Sequence, residues 1–149
     1  MMFTTNNLFI DTSVLIENVK GNKKGFLLSL LQGKTLSCFI NETVVSEFMF
    51  HFLKLNGNAS PQSSQSSGKI PLIIKLSDDY HLIRLFHFLP SDGSLTTLVP
   101  SLMATYNLLP NDAIILATCK IHGITKLASH DGDFTIPCQK EGIELLTQN

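Results

Sequence analysis

At 149 residues with 44% apolar content, the chain is long enough for one domain with a sizeable core. Eleven Lys and Arg residues against 12 Asp and Glu give a net charge of −1, which excludes a protein that grips nucleic acid mainly through a basic excess. No apolar run approaches the roughly 18 residues of a membrane span, and Met1–Asn7 lacks a basic signal-peptide start, so a cytoplasmic location is expected. Cys38, Cys119 and Cys138 form no C-x-x-C pair, which argues against a disulfide framework or a zinc knuckle and for reduced, buried thiols.

Taken in order, Leu8 to Ile10 is short and uniformly apolar, the pattern of a buried strand in a parallel sheet. Thr12 or Ser13 can cap a helix through Val14, Leu15, Ile16 and Val19, which Gly21 ends. A second helix is expected from Lys23 to Gln32, stopped by Gly33, and a second strand over Thr35 to Ile40. Asn41 reads as the N-cap of a helix whose stripe includes Val44, Phe48, Phe52 and Leu55, with Glu47 at its border.

Asn56 to Gly68 (about 56–69 with its flank) is rich in Ser, Gln and Gly and has no periodicity, so it is expected to be a flexible surface insertion within one domain. A helix is expected over Asp78 to Phe86, a short strand near Phe86 to Leu89, and a helix over Ser94 to Tyr106 that Pro100 kinks or delays. Asn111 is expected to cap a helix ending near Gly123. Lys126 to Ala128 and Ile143 to Leu145 complete the strands. The alternation implies an α/β three-layer sandwich around a mainly parallel sheet, in which sites form at the carboxyl ends of strands.

Asp11, Glu47, Asp112 and Asp131 are the acids this topology brings toward that edge. Crowded carboxylates raise each other's pKa, and Mg²⁺ or Mn²⁺ reverses that cost because hard cations prefer oxygen ligands. Each acid also has a plainer account. Asp112 suits the first turn of any helix, Asp11 suits a cap, Glu47 suits solvent, and Asp131-Gly132-Asp133 suits a turn.

Four stretches, FIDTSVLIE, NETVVSEF, YNLLPNDAIILATCKIHGI and LASHDGDF, taken together resemble the PIN domain, the nuclease fold of toxins in VapBC-type toxin–antitoxin pairs. FIDTSVLIE resembles the opening strand and its acid at Asp11, and NETVVSEF the helix bearing Glu47. YNLLPNDAIILATCKIHGI resembles the Asn-Asp-Ala helix, with Asp112 as third acid. LASHDGDF resembles the closing motif, placing Ser129 before Asp131, with Asp133 and Phe134 trailing.

The resemblance implies a metal-dependent endoribonuclease using Mg²⁺ or Mn²⁺, with Asp11, Glu47, Asp112 and Asp131 as catalytic and metal-holding residues. Within it, Asp11 and Asp112 are the direct ligands, Ser13 and Ser129 orient carboxylates or water, and Asp133 is a substitute for Asp131. RNA as substrate, an antitoxin partner and a homodimer are further implications; the apolar surface of the Glu47 helix also suits a dimer. The competing expectation is a PIN-like binding or assembly module without activity. A dehalogenase-type phosphatase is set aside because Ser13 stands where that chemistry needs a second Asp. The five histidines share no metal-site spacing.

Overall fold

A computed structural model describes residues 6–33 and 35–148. Residues 1–5, on which the expectation about a signal segment partly rests, lie outside it, as does the side chain of Lys24. β1 (Asn7–Ile10) is followed by α1 (Thr12–Val19), α2 (Lys24–Gln32), β2 (Ser37–Ile40) and α3 (Glu42–Gly57). Then come α4 (Pro61–Ser66), α5 (Ile70–Leu76), a 3-10 helix (Asp79–Leu85) and β3 (His87–Phe88). The second half contains α6 (Leu95–Tyr106), α7 (Pro110–Ile121), β4 (Lys126–Ala128), a 3-10 turn (Gly132–Phe134), α8 (Thr135–Glu141) and β5 (Glu144–Leu146).

The strands form one five-stranded sheet in the order β3-β2-β1-β4-β5, with every pairing parallel. Leu8, Phe9 and Ile10 are each 0% exposed. Neighbouring strand residues point to opposite faces, so both faces of the sheet are covered and the architecture is the three-layer one expected. Phe9, Phe48, Phe52 and Phe134 are among the largest fully buried side chains, each stabilising the fold by roughly 1.5–3 kcal/mol. Phe50 and Phe88 are exposed, while the three cysteines are free and buried.

From β1 the chain winds outward to β2 on one side, whereas β4 on the other side leads away to β5. The carboxyl ends of β1 and β4 thus flank the switch point where open parallel sheets hold ligands. Backbone pairing continues past the strand ends, with Asp11 N–H donating to the Ala128 carbonyl at 2.9 Å.

The polar stretch near 56–69 departs from expectation because it folds. Asn58 closes α3 with φ 50°, and the Ser60 side chain caps α4 by accepting from Ser63 N–H at 3.1 Å. Pro61 is preset for the first turn, and Ser66 and Ser67 hydroxyls donate to the Gln62 and Ser63 carbonyls at 3.0 and 2.9 Å. α5, which no expectation covered, brings Ile73 against Gly57. A Cβ at Gly57 would sit 2.9 Å from both Ile73 Cδ1 and Ser64 Oγ, so glycine permits this close approach.

Two smaller departures have local causes. α7 begins at Pro110 with Leu109 as N-cap, so Asn111 is inside the first turn and does not cap it. α1 has Asp11 itself at the N-cap position, ahead of Thr12 and Ser13. α6 contains Pro100, as the expected helix did. The α8 crossover between β4 and β5 was also missed, although a parallel pair requires one.

Candidate active site

Asp11 leaves the end of β1 and is 5% exposed. Its Oδ2 accepts from Ser13 Oγ and from Ser129 Oγ, both at 2.7 Å. Those hydroxyls serve twice: Ser13 Oγ also accepts from His130 N–H, and Ser129 Oγ from Asp131 N–H, each at 3.0 Å. The β1 and β4 ends are thereby laced together by two serines around one carboxylate. Burial pushes the Asp11 carboxyl above its ordinary range, against the lowering effect of both serine hydrogen bonds.

Glu47 reaches the same cleft from α3. Thr12 Oγ1 donates to Glu47 Oε1 at 3.2 Å, and the neighbouring Asn111 side chain favours its ionised form. Burial raises its pKa, and the charge of Asp11 adds to the rise. α3 is held in place by Asn41, which is 0% exposed. The Asn41 side chain accepts from Val44 N–H at 3.1 Å and donates to Thr118 Oγ1 of α7 at 3.0 Å. One buried amide thus caps the Glu47 helix and ties it to the Asp112 helix.

Asp112 stands in the first turn of α7, near the positive end of the helix dipole. Its carboxyl is nevertheless pushed up to about 7, by burial first and then by the charges of Asp131, Asp11, Glu47 and Asp133. Asp112, Asp131 and Asp133 each offer a carboxylate oxygen, and these atoms lie within 4.8 Å of one another. Asp131 Oδ1 also accepts from Asp133 N–H at 2.9 Å, the turn geometry that its sequence suggested.

Asp11, Glu47, Asp112 and Asp131 all line one cleft of ≈ 270 Å³. The four expected acids therefore converge. Asp133 joins Asp112 and Asp131 in a close trio and so accompanies Asp131, where sequence had offered it as a replacement. Sequence reasoning passed over three contributors: Thr12, which donates to Glu47, Asn111, which favours its ionised form, and His51, which lines the cleft. His51 lies one helical turn beyond Glu47, so its i+4 spacing was the available signal. His130 lies outside this lining; its ring tilts against Phe26 at 5.2 Å.

A cleft of hard oxygen donors whose acids oppose one another's ionisation could bind a metal ion. The PIN domain profile matches residues 8–137, a span containing every acid of the cleft. This chain belongs to the PIN domain family. Ribonuclease VapC6 of Methanocaldococcus jannaschii is 35% identical over 146 residues, an alignment covering 87% of this chain and 91% of that protein. Ribonuclease VapC2 of the same organism is 29% identical over 130 residues, 87% of each chain.

Solved structures share the fold of this PIN domain at lower identity. VapBC2 from Rickettsia felis, bound to a DNA fragment from its promoter, superposes with a TM-score of 0.63 at 12% identity, covering 96% of this chain and 99% of that one. FitAcB from Neisseria gonorrhoeae gives 0.61 at 21% identity, covering 93% and 96%.

Proposed function

We propose that this PIN domain is a metal-dependent endoribonuclease, the toxin of a VapBC-type pair. The observation that carries the reading is the meeting of Asp11, Glu47, Asp112 and Asp131 in one cleft at the sheet's switch point. Its relatives named ribonucleases, and its fold neighbours solved as toxin–antitoxin complexes, support it.

Asp112, Asp131 and Asp133 have the mutual spacing to hold Mg²⁺ or Mn²⁺, with Asp11 and Glu47 completing the site directly or through water. When bound, such an ion polarises a phosphoryl oxygen and lowers the pKa of water for in-line attack. Ser13 and Ser129 fix the rotamer of Asp11 and favour its ionised form. Thr12 holds Glu47 and Asn111 favours its ionised form, in which it orients a water or accepts its proton.

An antitoxin partner and a homodimer are part of the proposal, as is residence in the cytoplasm. Among the described residues no helix is long and apolar enough to cross a membrane.

The deciding experiment incubates mixed RNAs with the wild type and Asp112→Asn in Mg²⁺, Mn²⁺ or EDTA. Cleavage that needs the ion and falls by at least about 100-fold in the variant is expected, the scale of losing a group used in the transition state. Activity surviving both substitution and chelation would sink the mechanism.

A further inference from the structure

A second hollow opens beside the acid trio, between the end of α6 and the start of α8. It measures ≈ 500 Å³, and its lining includes Tyr106, Asn107, Leu108, Asp133, Ile136 and Pro137. That volume falls within the roughly 300–1,000 Å³ of small-ligand pockets. Asp133 belongs to both places, since it borders this hollow and brings its carboxylate within 4.8 Å of those of Asp112 and Asp131. A nucleic acid strand with a phosphate at the trio therefore has the hollow at its side.

The walls are of two chemical kinds. Leu108, Ile136, Pro137 and the Tyr106 ring are apolar, and the neighbouring Glu141 helps hold the Tyr106 hydroxyl in its protonated form. Asn107 supplies an amide able both to donate and to accept. It closes α6 with φ 56°, a left-handed turn that fixes its backbone beside the pocket. Among the described residues that line the hollow there is no Lys, Arg or His. A phosphate there would meet only the Asp133 carboxylate, so the chemistry selects an uncharged, flat, hydrogen-bonding group.

Resting on the nuclease reading, we propose that this hollow is a nucleobase subsite, receiving the base next to the bond that is cut. The base lies with a face on the apolar wall and an edge toward the Asn107 amide, as bases of single-stranded RNA are commonly held. This assignment also answers how a chain of net charge −1 holds RNA, because base contacts replace the missing phosphate contacts.

The test is a cycle between enzyme and substrate. Wild type, Asn107→Gly and Ile136→Ala cleave a short single-stranded RNA, and the same RNA carrying an abasic nucleotide at each position beside the mapped cut. Asn107→Gly keeps the positive φ, and Ile136 is 62% exposed, so thermal unfolding is expected to confirm folded variants.

Each variant is expected to raise KM for intact RNA by about ten-fold, the scale of one lost base contact. That penalty disappears on the RNA lacking the base in question. A penalty that persists on every abasic RNA, or none at all while the wild type cleaves normally, overturns the subsite alone. A wild type unable to cleave any RNA overturns the nuclease reading and the subsite with it. A penalty that tracks loss of self-association would give the pocket to a second copy of the chain, and likewise overturn the assignment.

Discussion

Ser129, 118 residues further along the chain, donates its hydroxyl to Asp11 Oδ2 at 2.7 Å. The same oxygen of Ser129 accepts the Asp131 N–H, so one small side chain sets the position of two acids. Ser129→Ala removes both contacts at a site 1% exposed. The expected cost is about 1.5–3 kcal/mol of stability, because a buried carboxylate loses a donor. Metal affinity is expected to fall by about 10–100-fold, the usual consequence of losing a group that orients a ligand. Titration calorimetry with Mn²⁺ and urea unfolding measure the two effects separately. Unchanged Mn²⁺ affinity in a folded variant would contradict the positioning role.

Asp112 gives a pH dependence whose sign is determined. Its pKa is raised from an ordinary carboxyl value to about 7 in the folded protein, chiefly by burial. In the metal-free protein the folded state therefore holds the proton more tightly than the unfolded chain does. This group's stabilising contribution is complete below the unfolded pKa and is lost as pH rises through about 7. Asp112→Asn should raise the melting temperature of the metal-free protein at pH 8 while abolishing cleavage. Metal affinity of the wild type should tighten between pH 6 and 8, since only the ionised carboxylate competes well for the ion. A flat affinity profile over that range would contradict the assignment of Asp112 as a ligand.

The parts of this architecture legible in sequence were those written in local chemistry. Leu8-Phe9-Ile10 announced a buried strand because burial on both faces leaves no room for alternation. Asn41 announced a helix start because its amide has one dominant use before an apolar stripe, and it makes that bond. The second role of Asn41, reaching Thr118 across 77 residues, has no local trace. The same holds for Asn111, whose neighbour Pro110 took over the helix start and left the amide to favour the ionised form of Glu47.

The stretch from Asn56 to Gly68 was misread for the opposite reason. Its helix is stabilised by serine hydroxyls bonding to nearby backbone and by one proline, and hydrophobic period carries no information about either. Among the acids, position after a strand singled out Asp11 and Asp131. The closeness of Asp133 to Asp112 is a property of the turn and became visible only in three dimensions.

Asn41→Ala tests whether the buried amide aligns the two acid-bearing helices. It removes the α3 cap and leaves Thr118 Oγ1 without its donor. A loss of about 2–3 kcal/mol is expected, about 1 of it from the cap and the rest from the buried bond. Asn41→Ser restores a capping oxygen without reaching Thr118, and should recover about 1 kcal/mol. If alignment matters, kcat should remain depressed in Asn41→Ser after stability has been partly regained. Urea unfolding and single-turnover cleavage separate these outcomes. Full recovery of kcat with the cap alone would reduce Asn41 to a stabilising residue.

The charge of the chain makes a further demand on how RNA is held. Among the described residues lining the acid cleft there is no Lys or Arg. Lys20 and Lys54 lie close enough to His51 to add to the effect of its burial in disfavouring its protonation. Lys20 is itself paired with Glu17 at 3.7 Å. Each phosphate neutralised on a single strand contributes a slope of about 0.7 to log KM against log salt. Two lysines thus predict a slope of roughly 1.5, shallow for a nucleic acid enzyme. Lys54→Ala should lower it by about 0.7, whereas Ile136→Ala should raise KM without altering the slope. Cleavage assays between about 50 and 200 mM KCl span the range in which such slopes are resolved. A wild-type slope above about 4 would mean that RNA is gripped by phosphate contacts elsewhere on the protein. The base pocket beside Asp133 would then be unnecessary to account for binding.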